Sequence, residues 1–330
     1  MITAITGATG HVGASLVRSL LEKGRSVRIL VRNDLRAVKG LEVEEVLGDV
    51  LDYDSLLKLF RGVKTVFHLA AKISIVGSEG GTVEKINIEG TNNVIRACLK
   101  CGVKRLVHFS SIHAYRARHA GEVIDETGAL ATDEGAFPYE RSKAIAQLAV
   151  LDAVKRGLEA VVLNPTGIIG PNDYKPSRMG EVLMDIYNRR YPVLIDGGYD
   201  WVDSRDVAAC ALAAEKKGRS GENYLVSGHW LHIHEVARLV EELYGIRAPR
   251  MVLPAWLITL PSYCALGISK IRGTTPKLTP YSLKTIRARY SVSHEKASRE
   301  LGYTPRPAAE TISDTLAWFD SHGMLKTIRK

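Results

Sequence analysis

The chain has 330 residues, 45% of them hydrophobic and 25% charged, which is typical of a globular protein with a sizeable core. Its formal net charge of +9 is scattered along the sequence without interleaved aromatic residues, which argues against nucleic-acid binding. The four cysteines form neither a disulfide framework nor a zinc site, so no metal is predicted. The first predicted strand begins at the N-terminus and leaves no room for a signal peptide, so a cytoplasmic location is expected.

Short apolar runs alternate with helical patterns over residues 1–165. The predicted strands, in chain order, are 1–5, 26–31, 43–47, 65–69, 105–109 and 160–163. The predicted helices between them are 12–22, 54–60, 83–100 and 138–156. Repeated strand–helix units with apolar strands predict a parallel sheet that is covered on both faces.

The regularity ends after residue 171, where helices are predicted at 177–190 and 234–244 and one more strand at 223–226. From residue 251 onward the pattern is mainly helical and interrupted by prolines. The predicted fold is therefore α/β, a Rossmann-type doubly wound parallel sheet with a smaller, mainly helical C-terminal substrate lobe. We assign 1–171, with returns near 201–228, to the dinucleotide-binding domain and 172–330 mainly to the lobe.

A glycine-rich turn follows the first predicted strand directly. Gly7, Gly10 and Gly13 lie between that strand and helix 12–22, where a tight turn aims free backbone N–H groups and the positive helix end at a pyrophosphate. This position in a β-α-β unit makes the spacing specific. The predicted dinucleotide contacts in this segment are Gly7, Thr9, Gly10, His11, Val12 and Gly13.

The end of the second predicted strand indicates which dinucleotide binds. Arg32 follows strand 26–31, where a carboxylate would hold the ribose of NAD and an arginine suits the 2′-phosphate of NADP. NADP(H) is therefore the predicted cofactor, and NAD(H) stays open. After strand 43–47, Asp49 and Val50 are placed to meet the adenine, although Asp49 could equally cap the following helix.

A proton-transfer group is predicted on helix 138–156. Tyr139 and Lys143 are four residues apart and share one helix face. A neighbouring ammonium and the positive nicotinamide of an oxidised cofactor would lower the pKa of the phenol. Ser111 ends the fifth predicted strand, at the carboxyl edge where open α/β sheets bind ligands, and its hydroxyl could hold a substrate oxygen.

Taken together, these motifs resemble the extended short-chain dehydrogenase/reductase superfamily over nearly the whole chain. The segments that carry the resemblance are Thr-Gly-Ala-Thr-Gly-His-Val-Gly (6–13), His-Leu-Ala-Ala (68–71), Asn-Ile-Glu-Gly-Thr (87–91), Phe-Ser-Ser (109–111), Tyr-x-x-x-Lys (139–143), Asn-Pro-Thr-Gly-Ile-Ile-Gly-Pro (164–171) and Trp-Val-Asp-Ser-Arg-Asp-Val-Ala (201–208).

The resemblance implies a Tyr–Lys–Ser active site in which Ser111 polarises a carbonyl and Lys143 also holds the nicotinamide ribose. Asn87 is the fourth candidate catalytic residue implied by the resemblance and would lie beneath the site, although as a lone residue it could equally cap its helix. The remaining cofactor contacts implied by the resemblance are Ala70, Ala71, Pro165 and Ile168.

Two departures favour the branch that resembles dihydroflavonol reductases and 3β-hydroxysteroid dehydrogenases. Tyr199 stands where nucleotide-sugar enzymes of the superfamily usually carry an arginine. Ile112 and His113 stand where the dehydratases place acidic residues. His113 and Tyr199 are the candidate substrate contacts.

Residues 252–269 are free of charge and resemble the apolar substrate-lobe segment of the reductase branch. They are too short and too interrupted by proline to span a membrane. We predict a helix pair over a hydrophobic substrate pocket. Two alternatives stay open. One is simple core packing, and the other is a peripheral membrane contact through 252–272 that is assisted by Lys270, Arg272 and Lys277.

The sequence thus predicts an NADP-dependent oxidoreductase that acts on an apolar ketone, aldehyde or secondary alcohol as its small-molecule partner. The first alternative is an NAD-dependent nucleotide-sugar epimerase or dehydratase. The second is a regulatory protein that senses NADP without catalysis. The resemblance is compatible with a homodimer.

Overall fold

The computed structural model describes residues 2–116, 121–272, 274 and 276–326. The strands found there are β1 (Ile2–Thr6), β2 (Ser26–Val31), β3 (Glu44–Leu47), β4 (Thr65–His68), β5 (Arg105–Phe109), β6 (Val123–Ile124), β7 (Ala160–Pro165), β8 (Gly167–Ile169), β9 (Leu194–Ile195), β10 (Gly198–Asp203), β11 (Asn223–Val226), β12 (His229–His232), β13 (Val252–Leu253) and β14 (Ser291–Val292).

The α-helices of the same residues are α1 (His11–Glu22), α2 (Tyr53–Phe60), α3 (Thr82–Glu84), α4 (Gly90–Cys101), α5 (Pro138–Lys155), α6 (Arg178–Tyr187), α7 (Ser204–Lys217), α8 (Ile233–Tyr244), α9 (Thr259–Arg272), α10 (Pro280–Arg287), α11 (Glu295–Leu301) and α12 (Ala308–Ser321). A π-helical stretch, Lys85–Glu89, joins α3 to α4. The described part of the chain also forms 3₁₀ turns at Ile112–Ala114 and Ala255–Ile258.

Seven parallel strands form the central sheet, in the order β3-β2-β1-β4-β5-β7-β11. The chain runs outward from β1 through β2 to β3, and then in the other direction from β4 to β11. The strand order therefore reverses between β1 and β4, and ligands of open α/β sheets bind in the crevice outside such a reversal. The predicted doubly wound parallel sheet is confirmed.

Helices cover both faces of this sheet, which explains why its inner strands are mainly apolar and buried. In β1, Ala4 belongs to the core beneath α2, α4 and α5, whereas its neighbour Ile5 belongs to the core beneath α1, α7 and α11. Successive residues of one strand thus face opposite layers. Both side chains are fully buried, and the sheet forms a rigid support for whatever lies at its carboxyl edge.

The C-terminal part is helical, as predicted, but it also contains strands that the sequence analysis missed. Three small sheets are present, β8-β10-β12, β9-β13 and β6-β14. Most of their strands have two to four residues. Strands this short carry too little alternation of apolar and polar residues to be recognised. Met1 of the first predicted strand and the end of the lobe after residue 326 lie outside the described residues.

The predicted helix pair at 252–269 is wrong. The segment forms strand β13, the 3₁₀ turn and the single helix α9. Pro254 precedes the turn, and Pro261 lies in the first turn of α9, where backbone N–H groups have no intrahelical acceptor and proline is tolerated. Within the described residues, no helix has the length and apolar character needed to cross a membrane.

Candidate active site

The turn after β1 has room for no side chain at two of its glycines. Gly7 has φ of +76°, and a Cβ there would lie 2.6 Å from the backbone nitrogen of Ala70. A Cβ on Gly13 would lie 2.2 Å from the carbonyl oxygen of Gly7. The Gly10 N–H donates to that same carbonyl at 3.0 Å, which closes the turn. Glycine is therefore required here for tightness and for close approach of the backbone.

The turn places the N-terminus of α1 at the carboxyl edge of the sheet, with its first backbone N–H groups unpaired by side chains. Gly10 caps α1 without a side-chain hydrogen bond, and the first turn of α1 carries no acidic residue. The N–H groups of His11, Val12 and Gly13 therefore have no intrahelical acceptor and are available to an anion. Thr9 is half-buried in the turn, and the Val12 side chain packs into the core. This cradle fits the pyrophosphate of a dinucleotide.

The His11 side chain is committed elsewhere. Its Nε2 lies 3.0 Å from the carbonyl oxygen of Gly170 and 3.1 Å from that of Pro171, and both carbonyls can only accept. Nε2 therefore carries the proton, and Nδ1 lies 3.9 Å from the Asp173 carboxylate. The imidazole ties the glycine turn to the segment that begins the lobe, so only the backbone of His11 is left for the cofactor.

Arg32 follows β2 and extends into solvent, with 74% of its side chain exposed. Its nearest carboxylate is Asp49, with Nη1 3.5 Å from Oδ2. By contrast, Arg36 on the same loop makes hydrogen bonds of 2.9 and 2.7 Å to Asp34. The Arg36 guanidinium also holds the pKa of the Asp34 carboxyl down to about 2. Arg32 can therefore turn toward a phosphate more easily than Arg36 can.

Asp49 does not cap the helix that follows it. Its Oδ1 accepts the Leu51 N–H at 3.0 Å, whereas the N-cap of α2 is Asp52, which accepts the Asp54 N–H. The alternative interpretation of Asp49 as a helix cap is thus wrong. Val50 is buried against Gly90 at the start of α4, where a Cβ would lie 2.7 Å from its Cγ2.

Register aligns polar side chains at the carboxyl ends of three neighbouring strands. Thr6 pairs with His68 across β1 and β4, and His68 pairs with His108 across β4 and β5. Burial lowers the pKa of both imidazoles, that of His68 to about 3, and the Lys143 ammonium acts in the same direction. Two neutral histidines therefore lie under the site without adding charge.

A directed hydrogen-bond chain starts from this row. Thr91 Oγ1 donates to the Asn87 carbonyl at 2.7 Å, so it accepts from His68 Nε2 at 3.0 Å. His68 Nδ1 must then accept from Thr6 Oγ1 at 2.7 Å. The chain links β1, β4 and the helical segment that carries Asn87, and it holds the imidazole in a single tautomer.

Asn87 fastens two further segments together from within the π-helical stretch. Its Oδ1 accepts the Lys72 N–H at 2.7 Å, and its Nδ2 donates to the Lys72 carbonyl at 3.0 Å and to Ser142 Oγ at 2.9 Å. Ser142 Oγ in turn donates to the Tyr139 carbonyl at 2.8 Å. Asn87 is therefore a positioning residue for the start of α5, and not a cap of its own helix.

The predicted proton-transfer residues lie together and are buried. Tyr139 and Lys143 share a face of α5, and Ser111 lies where the chain leaves β5, each less than a tenth exposed. Lys143 Nζ donates to the Phe109 carbonyl at 2.6 Å, at the last residue of β5. Ser111 Oγ accepts the His113 N–H at 3.1 Å. Asn164 Nδ2 holds the Ser111 carbonyl at 3.0 Å.

Burial governs the protonation of this group. It raises the pKa of the Tyr139 phenol to about 12, although the neighbouring Ser111 hydroxyl acts in the opposite direction. It lowers the pKa of the Lys143 ammonium to about 7. The expected lowering of the phenol pKa is not found, because loss of solvation on burial is the dominant effect on Tyr139. Tyr139 is thus a protonated acid at neutral pH.

His113 lies beside Tyr139 and belongs to a cluster that the lobe completes. Its ring centroid is 6.0 Å from that of Tyr139, and its Nδ1 is 3.2 Å from the Tyr281 hydroxyl on α10. That hydroxyl donates to Glu140 Oε1 at 2.9 Å, and the Tyr281 ring stacks on Phe137 with centroids 3.7 Å apart. The lobe therefore contacts α5 through an aromatic wall, Phe137 and Tyr281, next to the Tyr139 phenol.

The other predicted contacts fall in three places. Ala70 and Ala71 follow β4 directly, and the Ala70 N–H points toward Thr6 Oγ1 at 3.4 Å. Pro165 ends β7 and Ile168 lies in β8, paired with Val202 of β10. Tyr199 lies in β10 and packs edge-on against Trp201 within the lobe core, with ring centroids 5.9 Å apart.

Sequence reasoning missed Tyr281, Ser142 and Gln147, whose Oε1 accepts a hydrogen bond from Asn164 at 2.7 Å. Ser142 and Gln147 lie on the helix that carries Tyr139, and attention to buried polar positions on α5 could have found them. Tyr281 carried no such signal. Within the described residues, no cluster of three or more histidine, cysteine or acidic side chains could hold a metal ion.

The model of the NAD dependent epimerase/dehydratase family matches residues 3–227. The chain is 33% identical over 336 residues to sterol demethylase protein B of Methylococcus capsulatus, covering 98% of this chain and 100% of that protein. It is 30% identical over 329 residues to a putative dihydroflavonol 4-reductase of Synechocystis, covering 98% and 96% of the two chains.

Solved structures agree with this placement. The crystal structure of gox2253 superimposes with a TM-score of 0.86 at 32% identity, covering 98% of this chain and 99% of that one. UDP-glucose 4-epimerase of Thermotoga maritima, at 20% identity and a TM-score of 0.76, shares the fold over 98% and 99% of the two chains. The protein belongs to the NAD dependent epimerase/dehydratase family and is an NAD(P)-dependent oxidoreductase with the extended short-chain dehydrogenase/reductase fold.

Proposed function

We propose that the protein is an NADP-dependent oxidoreductase that interconverts an apolar ketone or aldehyde and the corresponding alcohol. The observation that carries the proposal is that Ser111, Tyr139 and Lys143 are buried together at the carboxyl edge of β5. This edge lies near the crevice where the strand order reverses between β1 and β4. A merely cofactor-sensing protein would need only the glycine turn. A buried lysine and phenol without a catalytic role would be costly.

The residues of the edge fit a dinucleotide. The pyrophosphate would lie on the N-terminus of α1, beside the turn in which close backbone contacts require glycine at positions 7 and 13. The adenine end would lie near Asp49 and Val50. The nicotinamide end would be bordered by Ala70, Ala71, Pro165 and Ile168, with Tyr139 and Lys143 beside its ribose.

When bound, the nicotinamide would supply or accept the hydride. Tyr139, whose pKa is about 12 in the structure, holds the proton that a carbonyl oxygen needs as it becomes an alcohol. Ser111 Oγ–H would donate to the same oxygen and fix its position. The Lys143 ammonium would favour the phenolate left after proton transfer. A protonated phenol is the form that can donate this proton in the reductive direction.

The surroundings of the phenol favour an apolar substrate. Phe137 and Tyr281 form a stacked aromatic pair near it, and His113 has a lowered pKa because of burial, so it is neutral at pH 7. His113, in the turn after β5, and Tyr199, on β10 of the lobe, are proposed to contact the substrate. Relatives are named for reductase or dehydrogenase activities on dihydroflavonols and 3β-hydroxysteroids, both largely apolar ring systems.

The mechanism is tested with Tyr139→Phe. This variant should lose turnover by at least about a hundredfold while it binds NADPH nearly as tightly as wild type, because only the transferable proton is removed. Tyr281→Phe is the matched control, since it removes a tyrosine hydroxyl from the same wall and leaves the proton donor in place. Near wild-type turnover by Tyr139→Phe would overturn the proposal.

The NADP preference is tested by calorimetric titration of Arg32→Ala with NADPH and NADH. The loss of one charge-assisted phosphate contact should weaken NADPH binding by roughly tenfold or more and leave NADH binding unchanged. Arg36→Ala is the control, because its guanidinium is held by Asp34. Equal binding of both cofactors by wild type would refute the preference. Turnover of a nucleotide sugar without net cofactor oxidation would refute the substrate class.

A further inference from the structure

Helix α9 and the 3₁₀ turn before it present large apolar side chains to solvent. On α9, Leu260 is 73% exposed and Ile271 is 88% exposed. Tyr263 and Ile268 are also exposed, and the four residues recur at about the period of a helix. They therefore form one stripe along α9. We call this stripe and the adjoining turn the α9 face, whose exposed apolar members are Trp256, Leu257, Leu260, Tyr263, Ile268 and Ile271.

The buried side of the same segment is small and partly polar. Ala255, Ser262 and Ser269 are each less than a tenth exposed. The Ser262 hydroxyl donates to the Thr259 carbonyl at 2.6 Å and the Ser269 hydroxyl to the Leu266 carbonyl at 2.9 Å, so both are satisfied within their own helix. The usual distribution of an amphipathic helix is therefore reversed. A contiguous exposed apolar face of this kind indicates a binding surface.

The segment that contains the α9 face carries charged residues of one sign only. Residues 251–294 contain no aspartate or glutamate but six lysines and arginines. Lys277 and Arg289 form ion pairs with Asp185 and Asp196. The other basic residues with described side chains are Arg272, Lys284 and Arg287, which are exposed. The side chain of Lys270 lies outside the described residues.

We propose that the α9 face docks the protein onto an anionic lipid bilayer, with α9 lying in the plane of the interface. Leucine, isoleucine, tyrosine and tryptophan side chains would enter the boundary of the acyl chains, and the basic residues would meet anionic headgroups. A second copy of the chain is disfavoured, because two basic surfaces would be brought together around the apolar stripe. With 14 residues, α9 is too short to span a bilayer.

If the protein docks through this face, the lobe would lie between the membrane and the proposed active site. The chain passes from α9 to α10, which carries Tyr281 into contact with His113 and Glu140 beside the proposed proton donor. An apolar substrate dissolved in the bilayer would then enter from the lobe side. The docking proposal itself is independent of the reaction, since it depends only on the exposed face and its charge.

Co-sedimentation of the full-length protein with vesicles tests the proposal. We expect binding to phosphatidylcholine vesicles that contain phosphatidylglycerol, little binding to phosphatidylcholine alone, and release by salt. Trp256 should show a blue-shifted emission on binding, and Trp256→Phe should abolish that shift. Protein that stays in the supernatant with both kinds of vesicle would overturn the proposal.

Paired substitutions separate the apolar and charged contributions. Leu260→Asp with Ile271→Asp should lower the partition coefficient on anionic vesicles by at least about tenfold. Leu47→Asp is the matched control, because Leu47 is 74% exposed on β3, in a different part of the fold, and should leave partitioning unchanged. Arg272→Glu with Arg287→Glu should remove the preference for anionic lipid.

Each variant is checked for native circular dichroism and for its mass in solution. Unchanged vesicle binding by the Leu260 and Ile271 double variant would contradict the proposal. A wild-type dimer that this double variant dissociates in the absence of lipid would show that a second copy covers the face, and it would also contradict the proposal.

Discussion

Replacing Lys143 by methionine should make the protein more stable while it abolishes turnover. The side chain is almost fully buried, and burial lowers its pKa from 10.5 to about 7. Burial of this lysine costs about 4 kcal/mol at pH 7 relative to a solvated lysine, because about half of the folded molecules have then lost the proton. Methionine has a similar length and carries no charge. It leaves the Phe109 carbonyl without its donor, which costs about 1–3 kcal/mol.

The expected net effect at pH 7 is a free energy of unfolding that is higher by about 1–3 kcal/mol. The pH dependence follows from proton binding. Because the folded-state pKa lies below the unfolded-state value, the unfolded chain holds more protons between pH 7 and 10.5, and raising the pH stabilises the wild type. The burial cost falls to about 2 kcal/mol at pH 9, so the advantage of the variant should shrink by a similar amount.

Denaturant unfolding of the cofactor-free protein at pH 7 and pH 9 measures both quantities. Lys155→Met is the control, since Lys155 lies on the same helix with 81% of its side chain exposed and should change stability little. Reduced stability of Lys143→Met at pH 7 would refute the reasoning, as would a difference from wild type that does not shrink at pH 9.

Three further predictions concern the surroundings of the site. Gly13→Ala should abolish NADPH binding in calorimetry, because its Cβ would lie 2.2 Å from the Gly7 carbonyl oxygen, whereas Gly267→Ala on α9, where a Cβ meets open space, should bind normally. Intact binding by Gly13→Ala would contradict the proposed pyrophosphate cradle. Asn87→Ala should lower the free energy of unfolding by about 2–4 kcal/mol and reduce kcat, because three hydrogen bonds are lost. Denaturant unfolding measures the first effect and steady-state kinetics the second. An unchanged kcat would show that α5 is positioned without Asn87. Tyr281→Phe should raise KM several-fold with little change in kcat, and a fall in kcat alone would place Tyr281 in the chemical step.

Local sequence patterns predicted the features that depend on one segment. The glycine turn could be predicted because only glycine tolerates the φ of Gly7 and the contacts of Gly13. The grouping of Ser111 with Tyr139 and Lys143 could be predicted because strand ends of a parallel sheet meet at one edge and residues four apart share a helix face. These rules need no knowledge of tertiary packing.

Features that depend on distant segments could not be predicted in this way. Tyr281 reaches His113 across 168 positions of sequence, and no local pattern marks that contact. The direction of the Tyr139 pKa shift depends on burial, which outweighs the effect of the Ser111 hydroxyl. The orientation of α9 also escaped prediction, because an apolar segment is ordinarily expected to face a core, and here its serines do so instead.

The central claim is that Tyr139 donates the proton when a hydride is transferred to a carbonyl. It is tested most directly with NADPH that carries deuterium in place of the transferred hydride. Wild type and Tyr139→Phe are incubated with apolar ketones and aldehydes, and the products are analysed by mass spectrometry. The account predicts an alcohol carrying one deuterium with wild type, formed at least about a hundredfold more slowly by the variant. Absence of labelled alcohol with wild type across the panel, or equal rates for both proteins, would contradict it.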